Sequence, residues 1–406
     1  MKQGMVMKKS IINSRGIIGE RLYYCAFVYA IILSFLMSAN YVPLLAVSAI
    51  RRLIYLAVAM MFFKIYAIDR FELRRIFYKS VILLLAIISW RLARGFNVLL
   101  YVSFILGAEN VKFRRLIELF FGTVGILLAG TVLISQASII KDFVYVRDKF
   151  HRHSLGIGYP TDMAAYVFYL LLAYYYLHFK QLTWRTYVTV IVLDMIVYGI
   201  TQARNSFVLI LLTVPVVWIA QHASQYHRIS RGVASFYWMV VPLAAYCTIL
   251  LSWLYNKQLR AFILLDRALS GRLNLSHYAL QKYGISIFGQ HVHENGWGGY
   301  KGLKHFNQAG FSYFYIDSSY IRLAVIYGIL LGILIIIFMT IIAYRSTLNH
   351  EYILAAIIML VSLHCIVEQH LIDFNYNPFL LALLSTTTLN KTRIIQKTGG
   401  NHDSKQ

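Results

Sequence analysis

The chain has 406 residues, 59% of them hydrophobic and only 14% charged, with a formal charge of +23. Ordinary soluble domains are about 25% charged, and a water-soluble core of this size cannot bury so much apolar surface behind so few charges. A soluble globular enzyme is excluded. The excess of 39 Lys+Arg over 16 Asp+Glu then goes either to orientation in a bilayer or to an anionic ligand.

Roughly 20 apolar residues cross a hydrocarbon core of about 30 Å. In chain order such runs lie at 22–40, 44–67, 80–94, 96–108, 117–139, 161–178, 186–202, 206–221, 237–256, 318–343, 352–368 and 376–389. Continuous runs rather than ten-residue alternation predict helices and not a barrel. The expected fold is therefore an all-α, polytopic membrane protein with about twelve transmembrane helices. The stretch "WRLARGFN" at 90–97 is either a tight turn or an interfacial break.

Lys2, Lys8, Lys9, Arg15 and Arg21 precede the first run, with no clear small-residue cleavage site after it. This reads as a retained first helix with the N-terminus inside. Basic segments "DRFELRR", "KFRR", "HFKQLTWR", "RISR" and the tail "NKTRIIQK" then fall on the inner side under the positive-inside rule. The expected organisation is a cytoplasmic segment 1–21, a membrane domain 22–389 and a cytoplasmic tail 390–406, in a multi-pass protein of the cell membrane. The long outer loop 257–316 is the main extramembrane part. Cys25, Cys247 and Cys365 all sit in apolar runs and read as packing residues. No Walker loop, metal-spaced Cys/His set or Asp-Asp pair is present, so no metal, cofactor or nucleic-acid partner is expected.

Four outer places carry unusual chemistry. "RDKFHRHSLGIGYPTD" (147–162) packs Arg147, Lys149 and Arg152 with His151 and His153 ahead of two glycines and a proline. It is either an anion-binding loop or a solvated basic turn. In "TQARNSFVLILL" (201–212) Arg204 stands where a helix starts, with Asn205 or Ser206 as the expected cap. A guanidinium beside a helix N-terminus suits a phosphate or diphosphate; the alternative is a headgroup anchor. In the long loop, Arg260, Arg267 and Arg272 sit on segments with helical spacing along the bilayer surface, Arg272 just after the Ser270–Gly271 turn. His291 and His293 follow as candidate bases. In the fourth place, Asp317 opens a membrane run as base or cap, and Arg322 lies four residues after Ser318 on the same helix face. Glu368, His370 and Asp373 form an acidic cluster at another helix end, with ligand and capping roles both open.

Taken together, "HSLGIGYPT", "YGITQARNSFVLILL", "SGR", "DSSYIRLAVIYGILLGIL" and "VEQH…NPF" resemble Wzy-type polysaccharide polymerases of the O-antigen ligase and polymerase superfamily. Arg204 with Asn205 and Ser206 is similar to the family's "SRs" helix start, and Asp317, Tyr320 and Gly328 to its "N/D-x-x-Y…G" helix. In "LGIGYPT", Tyr159 and Thr161 stand where His and Asn are usual. The resemblance implies a GT-C-like membrane glycosyltransferase of a bacterium. Such an enzyme joins undecaprenyl-diphosphate-linked oligosaccharides into capsular or exopolysaccharide at the outer face, without a metal. Fixed arginines suit the departing diphosphate, which makes Arg204 and Arg272 candidate catalytic residues, and the base for the acceptor hydroxyl is left open among Asp317, Glu368, His291 and His293. Arg147, Arg152, His153, Arg260, Arg267, Tyr320 and Arg322 are candidates for substrate binding. Membrane lipid, a flippase and a chain-length regulator are the implied partners. A ligase of the same superfamily is the nearest alternative. A flippase, which calls for basic residues lining a cavity and paired repeats, and a non-catalytic scaffold are more distant ones.

Overall fold

The computed structural model describes residues 2–41, 47–69, 71–147, 149–308 and 310–387, with side chains from residue 16 onward except at residue 47. The expected tail 390–406, and the ends of the expected runs at 44–46 and 388–389, lie outside the described residues. Among the described residues, seven helical stretches are long and apolar enough to cross a membrane, by length and composition, fewer than the twelve expected: Gly16–Ser38, Leu73–Ala93, Phe113–Gln136, Trp184–Thr201, Arg204–Ser224, Arg228–Leu254 and Ser319–Leu348.

Helix α1 runs Lys2–Ser38, so the expected inner segment 1–21 is helical from residue 2 and continuous with the first span. Helix α2 (Val47–Phe63) ends in a π-helical turn, Lys64–Ile68. Helices α3 (Leu73–Ala93) and α4 (Phe96–Gly107) meet at a tight turn in which Arg94 takes φ 58°, which settles the 90–97 stretch as a turn. After α5 (Phe113–Gln136) comes an antiparallel hairpin of β1 (Val144–Arg147) and β2 (Phe150–His153), pairing Val144 with His153 and Arg147 with Phe150. Pro160 opens α6 (Pro160–His178), where its missing N–H costs nothing. A Thr183–Thr186 capping box opens α7 (Trp184–Thr201). Next come α8 (Arg204–Ser224), α9 (Arg228–Ala234) and α10 (Tyr237–Leu254).

The long loop is largely helical: α11 (Arg260–Ala268), α12 (Arg272–Tyr283) and α13 (Gly299–Phe306). Ser270 (φ 58°) and Gly271 (φ 84°) separate the first two. Then follow α14 (Ser319–Arg322), a π-helical turn Leu323–Gly328, α15 (Ile329–Leu348) and α16 (Tyr352–Val367). Nearly all of α16 is buried, as expected for a helix that is apolar all round. It packs against α6, α8, α10 and α15 at the centre of the bundle.

Two irregularities interrupt this helical pattern. The first is a break at Gly328, which takes φ 99° and ψ 137°. The chain 286–290 seats there as an extended segment. Ser286 N donates to Ala324 O (3.1 Å), Gln290 N to Ile326 O (2.9 Å) and Ile329 N to Ser286 O (2.8 Å). The second is the segment after α16. The expected helix at 376–389 is not formed, and the only regular piece in its described part is a 3₁₀ turn, Phe379–Leu383. The cause is local: Pro378 has no N–H, and Asn377 captures the backbone, donating to Leu371 O (2.8 Å) and accepting from Phe379 N (3.1 Å). Tyr101 on α4 donates to Asn377 O, and Thr386 N to Val111 O. The segment therefore runs irregularly but buried alongside α4. Such backbone is tolerated at membrane depth only when protein encloses it.

Contacts define the two ends of the bundle. The hairpin end gathers the ends of α1, α6, α7, α8, α14 and α16, tied by Gly158 N to Ser38 O (2.9 Å), Arg152 Nε to Thr201 O (3.0 Å) and Arg272 Nη2 to Glu368 Oε1 (2.9 Å). The far end carries a different ionic group, in which Lys79 meets Glu109 at 2.7 Å and buried Lys64 meets Asp69 at 2.7 Å.

Candidate functional site

At the hairpin end, three cations lie among carboxylates, His370 buried and Arg272 and Arg322 partly buried. Arg272 enters from the start of α12, whose turn is fixed when Asp266 accepts from Asn274 N (2.9 Å). Its guanidinium bonds Glu368, the C-cap of α16, and its Nε lies 3.6 Å from Asp317 Oδ2 without a hydrogen bond. Glu368 is only 2% exposed. Burial pushes its carboxyl up to about 7; nearby Asp317 adds to this and Arg272 opposes it. Burial likewise raises Asp317, against the pull of Arg272 and Arg322.

Arg322 is fully engaged by the protein. It forks onto Glu294 with bonds of 2.9 and 2.8 Å, donates to Ile316 O (2.9 Å) and lies 5.1 Å from the Tyr315 ring centre. Glu294 also accepts from Ile316 N (2.9 Å), so the pair fixes the chain just ahead of Asp317. His370 is the third cation. Its Nδ1 meets Asp373 Oδ2 at 3.0 Å, and its Nε2 faces Asp162 Oδ1 at 3.5 Å, an ionic contact without a hydrogen bond. Burial works against its charge, but the two carboxylates prevail and carry its pKa to about 10. Asn97 at the start of α4 holds Asp373 at 2.6 Å.

Arg152 completes the group from the hairpin. Buried at 6% exposure, it bonds Thr201 O (3.0 Å) just before α8 and lies 5.5 Å from the ring centre of Tyr159. Tyr159 in turn feels Asp317 and Arg272. Ser270 Oγ reaches Asn205 Oδ1 at 3.4 Å, joining the Arg272 turn to the start of α8. The turns and helix ends bearing Arg152, Arg204, Arg272, Asp317 and Glu368 are thus linked side by side at one end of the bundle.

The remaining expected residues lie around or away from this cluster. Arg204 is the first residue of α8 and exposed; the cap expected from Asn205 or Ser206 is not made, the N-cap being Ala203 with no side-chain bond. Arg147 sits at the exposed tip of the hairpin, and Arg260 and Arg267 on the exposed side of α11. His153 is held by Asp142 at 2.6 Å, facing away from Arg152. His291 and His293 are exposed on the loop and take no side-chain hydrogen bond. Tyr320 is buried with its hydroxyl on Ser362 O (2.9 Å), a structural tie between α14 and α16. The arginines expected on the outer side are also less bare of acids than the sequence suggests: Arg272 and Arg322 both have carboxylate partners.

Sequence reasoning missed Glu294, Asp162, Tyr159 and Tyr315 as members of the cluster. The signal for Glu294 was faint, a lone acid beside two histidines in a glycine-rich loop. Among the described residues no group of three or more His, Cys, Asp or Glu side chains is arranged to hold a metal ion. No protein-family model matches the chain, and neither a curated protein nor a solved structure matches it.

Proposed function

We propose that the protein is a membrane glycosyltransferase of the Wzy type. In this reading it polymerises oligosaccharide repeat units carried on undecaprenyl diphosphate, with the hairpin end on the outer face of a bacterial cell membrane. The observation that carries this reading is the Arg272–Glu368–Asp317 cluster. A partly buried guanidinium keeps one N–H without a hydrogen-bond acceptor, beside a buried carboxyl whose pKa lies near neutrality. Departure of a lipid diphosphate builds negative charge, which a fixed guanidinium stabilises strongly where water is excluded. The acceptor hydroxyl must lose a proton, and a carboxyl with a pKa near the working pH is suited to take it.

Arg152 and Arg204 flank this cluster and supply further positive charge for the diphosphate. In this reading the irregular segment after α16 is the twelfth crossing, and the basic stretches between the helices at the far end face the cytoplasm. The test is expression in a strain that lacks its own polymerase but makes the matching lipid-linked repeat. A ladder of polymer, lipid-linked or released, supports the reading. Accumulation of single lipid-linked repeats despite correct membrane insertion overturns it.

A further inference from the structure

On the other side of the hairpin from Arg152, a cleft of about 420 Å³ opens between the end of α5, the start of β1 and α13. Alternation along β2 separates the two faces: Arg152 turns to the charged cluster, and His153 to Asp142 in the wall of the cleft. The volume lies in the range of small-molecule clefts, about 300–1,000 Å³.

The lining is mixed: polar side chains, the apolar Ile139 and Ile140, and the aromatic face of Tyr300. Asn40 spends both amide hydrogens on Lys141 O (3.0 Å) and Ile157 O (3.1 Å), which fixes this wall and leaves its side-chain oxygen as an acceptor. Ser135 Oγ is buried without any partner, although buried hydroxyls are ordinarily hydrogen-bonded. Ser138 and Lys141 stand exposed at the rim. Tyr300 packs perpendicular to Phe143 at 4.8 Å, so its ring plane is set while the residue stays 37% exposed. The helix that carries it is pinned over the hairpin by Tyr145 donating to Trp297 O (2.8 Å) and Gly299 N to Gly158 O (2.9 Å).

A ligand that presents hydroxyls on its edges and C–H groups on its face satisfies this lining; a lipid tail or a bare phosphate does not. We infer that the cleft is a saccharide subsite that grips the growing glycan away from the bond being formed and thereby sets chain length. The inference rests on the polymerase reading above.

The test uses the full chain in nanodiscs with lipid-diphosphate-linked repeat units, comparing Tyr300→Ala, Lys141→Ala and Tyr300→Trp with the parent. The first linkage should form at the parental rate in all of them. Mean chain length should fall several-fold in the two alanine variants and recover in Tyr300→Trp, which keeps the stacking face. Saturation-transfer NMR with the lipid-free repeat oligosaccharide should weaken in Tyr300→Ala. Parent-length polymer and unchanged saturation transfer in the alanine variants overturn the subsite while leaving the polymerase intact. A parent that makes no polymer removes the polymerase reading, and the saturation-transfer comparison still decides the subsite.

Discussion

Replacing Gly328 by alanine tests the seam at which the chain 286–290 enters the broken helix between α14 and α15. A Cβ built there lies 2.4 Å from Phe288 C, 2.6 Å from Gly289 N and 2.7 Å from Ile287 O. All three are backbone atoms and cannot swing aside. The positive φ alone costs about 1–2 kcal/mol for a residue with a side chain. Relieving the clash means lifting the inserted segment, which risks its bonds to the helix: Ser286 N to Ala324 O, Ser286 Oγ to Val325 O, Gln290 N to Ile326 O, Ile329 N to Ser286 O and Leu330 N to Ile287 O. At about 0.5–1.5 kcal/mol net for each bond, losing even half of them brings the total to about 2–6 kcal/mol. Gly271→Ala is the matched control, since Gly271 also has a positive φ (84°) but nothing within 4 Å of the added methyl. The assay is thermal unfolding of the detergent-solubilised protein, followed by its monodisperse fraction. Gly328→Ala should unfold well below Gly271→Ala. Equal losses in the two variants refute the seam and leave only backbone strain.

Three further predictions concern the charged cluster. Arg322→Met leaves the partly buried Glu294 without its partner and should destabilise the fold by about 2–3 kcal/mol, below the cost at a fully buried pair, while Arg322→Met combined with Glu294→Met should recover most of that; a double variant no better than the single one contradicts the pairing. Arg272→Lys keeps the charge but loses the fork, and should lower polymer formation by about 10²-fold with normal membrane insertion; undiminished polymer excludes Arg272 from the reaction. His370 binds its proton more tightly folded, with a pKa near 10, than at its ordinary value of 6.5. Its stabilisation is therefore complete below pH 6.5 and lost as pH rises toward 10. The unfolding temperature should fall across that window, and the fall should be shallower in His370→Gln; the same slope in both proteins rules out this titration.

Eleven of the twelve expected runs coincide with helices, because apolar run length reports on helix formation, but only seven of the described helical stretches are long and apolar enough to cross a membrane, fewer than the twelve crossings expected. The twelfth run failed because its apolar composition concealed the local effects of Asn377 and Pro378, and because the partners that enclose it, Tyr101 and Val111, lie far away in sequence. The cluster was legible in its cations and much less in its anions. Arg272 and Arg322 were visible as charges beside apolar runs, and Glu368 as an acid at a helix end. Glu294 lies 28 residues from Arg322, in a loop whose path no periodicity predicts. The cap expected at Asn205 or Ser206 was a reading of residue type, but the geometry places Asn205 against Ser270 and buries Ser206.

Glu368, His370 and Asp373 all belong to the stretch that follows α16, and this stretch comes after every other described element in chain order. Chains are inserted from the N-terminus onward, so the helices around that stretch enter the membrane before it exists. Until it arrives, Arg272 lacks Glu368, and the space beside α4 lacks Phe374, Tyr376 and Phe379, each buried in the finished bundle. This stretch therefore both fills the core beside α4 and brings Glu368 to Arg272, so a ribosome-bound chain that stops short of it lacks a closed bundle and leaves Arg272 with Asp317 alone.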